Sequence, residues 1–515
     1  MNGAQALMRA AADAGVTVCF ANPGTTEMQL VEALDHEPRI RPVLGLFEGV
    51  VTGAADGYAR MAGIPALTIL HLGPGLANGL ANLHNARRAD PPVVNLVGDH
   101  ATGHRDADAP LTSDIVSLAE PMSGWVRTSR HADELAVDVV EAISASLSPP
   151  GQVATLILPQ DLTWTEMEAR PSPAVQPEER ALVGPAQVES VAAALRAAGE
   201  AAILLVGGPG TRRDGLLAAA RIQAATGCRV FTDAMPARLE RGVGIPAFPR
   251  VPYFPEQAGE VFAGATMCVL AGATDPVSFF GYPGQRSHPR PESCELIGLA
   301  SPGDDVGHAL ESLAAALDAP EAPVVAAPAV QVPTGSGLGP AELGAALAAL
   351  QPEGAIVVDE AITSGGGYAS AARSAAPHDV LALTGGAIGF GLPAAVGAAI
   401  ACPDRRVIAV QADGSGMYTL QALWTMARES LDITVVICAN RSYRILEVEL
   451  ARAGVSDPGV AARALTGLDS PDLDWVSLGR GMGLHSVRAT TADELVAGLQ
   501  QSFATAGPAL IEARM

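Results

Sequence analysis

The chain has little aromatic content, little charge and no long unbroken apolar run. Aromatic residues make up 4% of its 515 positions, and the 49% hydrophobic content is carried largely by Ala and Val. Only 17% of residues are charged, with a formal net charge of −23. That balance disfavours nucleic acid and anionic membrane surfaces as partners. It also requires any bound anionic cofactor to be neutralised locally, by a metal and by helix N-termini. No stretch reaches the roughly 18 consecutive apolar residues of a membrane span. The N-terminus opens on an amphipathic helical pattern rather than a charged-then-apolar leader, so the expectation is a cytoplasmic protein. The six cysteines (19, 228, 268, 294, 402 and 438) show no C-x-x-C spacing. Cys19, Cys268 and Cys438 lie within apolar runs and read as core thiols of a reducing compartment.

What the chain does have is a repeated alternation of short β-branched runs and helical patterns, the mark of α/β domains with parallel sheets. The fold class expected is three consecutive doubly wound parallel-sheet domains, at residues 1–168, 186–320 and 339–515. Pro-rich linkers are expected at 169–187 and 318–338. In the first domain, strands over Val18–Ala21, Val43–Phe47, Ala66–Leu70, Val93–Val97 and Val153–Leu158 deliver polar or Gly-rich turns at their carboxyl ends. Ligands bind at that edge in open α/β sheets. Those turns carry Asn22-Pro-Gly-Thr25-Thr-Glu27, Glu48, His71 and Gly98-Asp-His100. Gly49, Gly53 and Gly57 repeat every fourth residue, making a side-chain-free helix stripe against which a backbone or a ligand can approach. In the middle domain, Gly208-x-Gly210 is not a dinucleotide fingerprint, because Arg212-Arg213 fill the place of the third glycine.

The most informative stretch is Arg406–Gly416 with Ile433–Asn440. Two apolar runs end at Gln411 and Asn440, and an amphipathic segment, about Tyr418 to Glu429, separates them, which reads as a βαβ unit. Asp413 and Asn440 then sit at the carboxyl ends of parallel strands. The helix reached through Gly414-Ser415-Gly416 offers free N–H groups to a phosphate. A carboxylate and an amide oxygen beside such a helix end suit Mg²⁺ shared with phosphate oxygens.

Asp413-Gly-Ser followed 27 residues later by Asn440 resembles the thiamin diphosphate (ThDP) fingerprint, with Ala412 and Ala439 in place of its first Gly and first Asn. Together with Asn22–Glu27, Glu48, Ala54–Arg60 and Gly386–Pro393, it makes nearly the whole chain resemble the ThDP-dependent 2-oxoacid decarboxylase and acetolactate synthase family. The resemblance implies ThDP and Mg²⁺ as cofactors, with Asp413, Asn440 and the Ser442 carbonyl on the metal. Gly386, Ile388, Gly414, Ser415, Tyr443, Thr363 and Ser364 would contact the cofactor. It implies a homodimer or homotetramer whose active sites lie at the subunit interface, and a small 2-oxoacid as substrate. Glu48 would hold a proton at the pyrimidine ring, a task that needs a carboxyl in apolar surroundings. His71, with Thr25 in the first turn, matches the benzoylformate decarboxylase pattern. It could transfer a proton, hold a substrate carboxylate, or be a structural histidine bonded to backbone. Where that pattern has a second histidine, this chain reads Val277-Ser-Phe-Phe-Gly-Tyr282, and His100 is the candidate substitute. Ile445, Leu446 and Glu449 would face the substrate. The implied reaction is decarboxylation of a 2-oxoacid, with release of an aldehyde or its ligation to a second carbonyl. Another class remains open, a cofactor-binding subunit with little chemistry of its own, suggested by Ala412 and Ala439. FAD, carried by acetolactate synthases, has no supporting motif.

Overall fold

The computed structural model describes residues 1–168, 175, 178–321 and 328–515, so parts of both expected linkers lie outside the described residues. Two compact units result. One contains residues 1–177, 330–371 and 383–515, and the other 178–329 and 372–382.

The first sheet of the larger unit has strands β1 (Val18–Asn22), β2 (Arg41–Leu44), β3 (Ala66–Leu70), β4 (Val93–Asp99), β5 (Trp125–Thr128) and β6 (Val153–Pro159), in the order β2-β1-β3-β4-β6-β5. All pairs are parallel. The helices Gly3–Asp13 and Leu135–Leu147 pack on one face over a core of Leu7, Met8, Leu67, Ile69, Leu96 and Leu156. Strand order reverses between β1 and β3, so the turns after them flank the point where doubly wound sheets bind ligands.

The smaller unit contains β7 (Ala202–Val206), β8 (Arg229–Thr232), β9 (Leu239–Arg241), β10 (Met267–Ala271) and β11 (Glu295–Ala300), with a parallel sheet ordered β11-β10-β7-β8. Pro185, expected in the first linker, is instead the first residue of a helix, where its missing N–H costs nothing.

The larger unit resumes with β12 (Ile356–Glu360). The next strand, β13 (His378–Ala382), belongs to the smaller unit, where it pairs antiparallel with β9. In the larger unit β14 (Val407–Ala412), β15 (Ile433–Ala439), β16 (His485–Ala489) and β17 (Ala509–Arg514) continue the parallel order β16-β17-β15-β14-β12.

The glycine stripe receives a backbone. A Cβ on Gly57 would lie 2.2 Å from the Ala394 carbonyl oxygen, and one on Gly397 would lie 1.9 Å from that of Ala54. The helices Glu48–Ala62 and Gly391–Ala401 therefore cross in direct main-chain contact. Asp56 and Arg60 form a buried ion pair at 2.7 Å on the same helix, and the Arg60 guanidinium stacks over Phe390.

One expected element is different. The helix expected over about Tyr418 to Glu429 is shorter, covering only Ala422–Arg428. A four-residue turn, Asp413–Gly416, is followed by a separate helix, Ala422–Arg428. Gly414 and Gly416 lower helical propensity here. Each also sits under a ring, with a Cβ placed 2.5 Å from Tyr443 and 2.8 Å from Trp475 respectively.

Candidate active site

The turn after β1 folds into a 3₁₀ segment, Thr25–Glu27, with Glu27 fully buried. The Gly24 N–H donates to Glu27 Oε2 at 2.8 Å, and the Thr26 hydroxyl donates to Glu27 Oε1 at 2.5 Å. His71 Nδ1 lies 2.8 Å from Glu27 Oε2 and 3.3 Å from the Thr26 hydroxyl. A Cβ on Gly24 would sit 2.1 Å from the His71 ring, so glycine is what lets the imidazole lie there. Of the two threonines, Thr26 touches His71, whereas Thr25 is exposed and meets Gln160 through its carbonyl. His71 is held through a side-chain carboxylate rather than through backbone.

Glu48 opens its helix and is buried, but its surroundings are not wholly apolar: Asn78 Nδ2 donates to its Oε2 at 3.0 Å. Glu48 and His71 face each other across Gly75, whose Cβ would lie 3.1 Å from Glu48 Oε1 and 3.3 Å from His71 Cβ. Two groups expected to handle protons are thus neighbours on one rim. His100 follows β4, with its ring 5.5 Å from that of His104.

The helix Leu72–Arg87 clamps the glycine-rich loop that precedes the helix at Gly391. Asn82 Nδ2 donates to the carbonyls of Gly49 (2.8 Å) and Gly389 (3.2 Å), and Asn85 Nδ2 to that of Ala387 (2.8 Å). The loop includes Gly386 at φ 74° and Gly389 at φ 98°, values that exclude most side chains, with half-buried Ile388 between them.

Asp413 is 2% exposed. Among the described residues its oxygens accept the backbone N–H groups of Gly414 at 2.8 Å and Arg441 at 2.7 Å. Burial pushes its pKa above the usual carboxylate range, against the pull of those two donors. Asn440 Oδ1 accepts the Ser442 N–H at 3.0 Å. A buried carboxylate with neutral partners, an amide oxygen and an adjacent backbone carbonyl make an all-oxygen set, which fits Mg²⁺. Ala412 leaves the turn unstrained: its φ of −71° and ψ of 145° suit any L residue. Ser364 is buried and Thr363 exposed at the end of β12. Ile445, Leu446 and Glu449 lie on the helix Arg444–Arg452, none of whose residues is buried. In the smaller unit, Phe279 and Phe280 form an aromatic cluster with Tyr253, at ring separations of 5.0 and 6.4 Å.

Backbone strain gathers at the same places. Of the seven non-glycine residues with positive φ among the described residues, Leu72, Ile362 and Arg441 are neither Asp nor Ser. They follow His71, precede Thr363 and sit between Asn440 and Ser442 respectively. Such residues cost on the order of 1–3 kcal/mol each and cluster at ligand sites.

Sequence reasoning passed over Glu27, Glu360, Asn78, Asn82 and Gln411. Glu27 alone had a local signal, since it follows Gly24 at the capping-box spacing.

Residues 1–118 match the N-terminal TPP-binding domain of thiamine pyrophosphate enzymes, and residues 364–513 match their C-terminal TPP-binding domain. The chain belongs to the thiamine pyrophosphate enzyme family and is a ThDP-dependent enzyme. It is 52% identical over 517 residues to a Mycobacterium tuberculosis protein provisionally named acetolactate synthase large subunit IlvX, covering 99% of this chain and 98% of that one. It is 29% identical to benzoylformate decarboxylase of Pseudomonas aeruginosa, over 97% and 96% of the two chains. The solved ThDP-dependent 4-hydroxybenzoylformate decarboxylase of Rhodococcus jostii RHA1 shares the fold, with a TM-score of 0.86, 24% identity and coverage of 100% and 99%. Among the described residues no helix is long and apolar enough to cross a membrane.

Proposed function

We propose that the chain is a ThDP- and Mg²⁺-dependent 2-oxoacid decarboxylase whose activated product is released as an aldehyde or joined to a second carbonyl. The observation that carries this is the buried Asp413 carboxylate, which accepts two backbone N–H groups, one of them from the strained Arg441 beside Asn440. Asp413, Asn440 and the Ser442 carbonyl would hold the metal. Gly414, Ser415, Thr363 and Ser364 would meet the diphosphate, with Gly386, Ile388 and Tyr443 along the rest of the cofactor. When bound, ThDP supplies a carbon nucleophile and a sink for the electron pair left as CO₂ departs.

The chain's own residues hold and move protons around that chemistry. Glu48, buried and steadied by Asn78, keeps a proton at the pyrimidine end. His71, fixed by Glu27, presents Nε2 to the substrate side, where it can protonate a carbon or hold a carboxylate. This dyad favours the aldehyde outcome, with Thr25 and His100 on the same rim. Ile445, Leu446 and Glu449 would border the substrate.

Among the described residues no hydrogen bond joins Glu48 to the Asp413 turn within one chain. Leu446, Val460 and Leu465 also stand exposed beside the Asn440 loop. The exposed apolar side chains support a homodimer or homotetramer that completes each site with a second copy, and the proposal keeps the three-domain division at 1–168, 186–320 and 339–515. The retained Glu48 and the Glu27–His71 pair argue against a silent subunit. The test is CO₂ release from a panel of 2-oxoacids with ThDP and Mg²⁺, separating aldehyde from acyloin. No CO₂ from any of them would refute the proposal.

A further inference from the structure

We propose that Glu360 is a positioning residue that fixes the cofactor-facing loop Thr384–Gly391 and ties it to the Asp413–Gly416 turn. The inference rests on the ThDP reading above. Glu360 ends β12 and is fully buried. Its Oε1 accepts the N–H groups of Gly389 (2.7 Å) and Phe390 (3.3 Å), and its Oε2 accepts those of Gly391 (2.6 Å) and the Gln411 side chain (2.9 Å). All four partners are neutral donors. Gln411 Nε2 also lies 2.6 Å from Ser415 Oγ, in the turn beside Asp413.

A buried carboxylate is costly to keep unless its oxygens are filled, and here four donors fill them. The loop has two left-handed glycines and no strand partner of its own, so its shape must be imposed from outside. Asn82 and Asn85 hold one side and Glu360 the other. The approach is close: a Cβ on Gly391 would lie 2.3 Å from Gln411 Oε1 and 3.0 Å from Glu360 Oε2. One carboxylate therefore anchors the segment with Gly386 and Ile388 and, through one amide, the segment with Ser415. Buried among these donors, Glu360 acts through the groups it holds.

The test compares wild type with Glu360→Gln, Glu360→Asp and Gln411→Leu. It measures amide exchange at Gly389, Phe390 and Gly391 in cofactor-free protein, ThDP affinity with Mg²⁺ by tryptophan quenching, and the kcat–KM split. In Glu360→Gln, exchange at those amides should accelerate at least about tenfold and the ThDP Kd should rise about 10- to 100-fold, as expected for lost charge-assisted hydrogen bonds. KM for the oxoacid should stay within about twofold, because the substrate side is untouched. Glu360→Asp should recover part of the affinity. A lower melting temperature with unchanged exchange and unchanged ThDP Kd would reduce Glu360 to a helix cap and overturn the proposal. Should Glu360→Gln fail to fold, Gln411→Leu decides: a rise of about 3- to 10-fold in Kd supports the proposal and no rise overturns it. If wild type takes up no ThDP, the functional reading fails, while the exchange measurement still judges the loop.

Discussion

Replacing Gly57 by Ala tests whether the crossing of the helices Glu48–Ala62 and Gly391–Ala401 is what sets the Glu48 rim. In an exposed helix the change would stabilise by about 1 kcal/mol through propensity. Here the new methyl would sit 2.2 Å from the Ala394 carbonyl oxygen and 2.6 Å from its Cα. Both are backbone atoms, so no side chain can swing away. Overpacking typically costs about 1–3 kcal/mol, and rigid partners place this site at the upper end, for a net loss of about 2 kcal/mol after the propensity gain. Urea denaturation followed by circular dichroism gives the comparison. Gly481→Ala serves as the control, since a Cβ there meets nothing within 4 Å, and it should be neutral or stabilising by up to about 1 kcal/mol. ThDP affinity should fall in Gly57→Ala only, because the loop with Gly386 and Ile388 moves with the helix it leads into. A Gly57→Ala protein as stable as the control would refute the argument.

Glu48→Gln should lower kcat by about 10²- to 10⁴-fold, the usual range for a lost proton-handling group, and leave ThDP binding within a few-fold by titration. Asp413→Asn should be at least as stable as wild type without cofactor, since it removes a buried charge, and should lose the rise in melting temperature caused by ThDP and Mg²⁺. Burial raises the Asp413 pKa, so the folded, cofactor-free chain binds a proton that the unfolded chain releases near about 3.9. That contribution favours folding at acid pH and fades as pH climbs from there through the folded pKa. Metal binding needs the ionised form, so the Mg²⁺-induced melting shift should grow with pH over the same window in calorimetry. Glu27→Gln should cost about tenfold or more in kcat/KM by freeing His71, and the double variant with His71→Ala should be little worse than His71→Ala alone.

The rim was legible from sequence wherever a β-branched run ended in a breaker-rich turn. Val18, Ala66, Val93 and Val153 each begin an observed strand, and Glu48 opens a helix. Strands with half-exposed faces, such as Trp125–Thr128 and His485–Ala489, gave no such signal, because their burial follows from neighbours distant in the chain. Glu360 carried no signal in the sequence. Its backbone pairs with Gln411 of β14 and its carboxylate with donors at 389–391, about thirty positions away, and no local pattern encodes either pairing. The Tyr418–Glu429 periodicity was real over Ala422–Arg428, but its first residues form a turn instead of the helix's first turn.

The helix Arg444–Arg452 carries consequences of another kind. None of its residues contributes to a core, so exchanging Ile445, Leu446 or Glu449 removes almost nothing that the rest of the molecule relies on. Variation there is cheap for folding yet falls beside the Asn440 loop. Diversification of substrate range, in nature or in a library, would start on that surface and leave the clamped glycine loop unaltered.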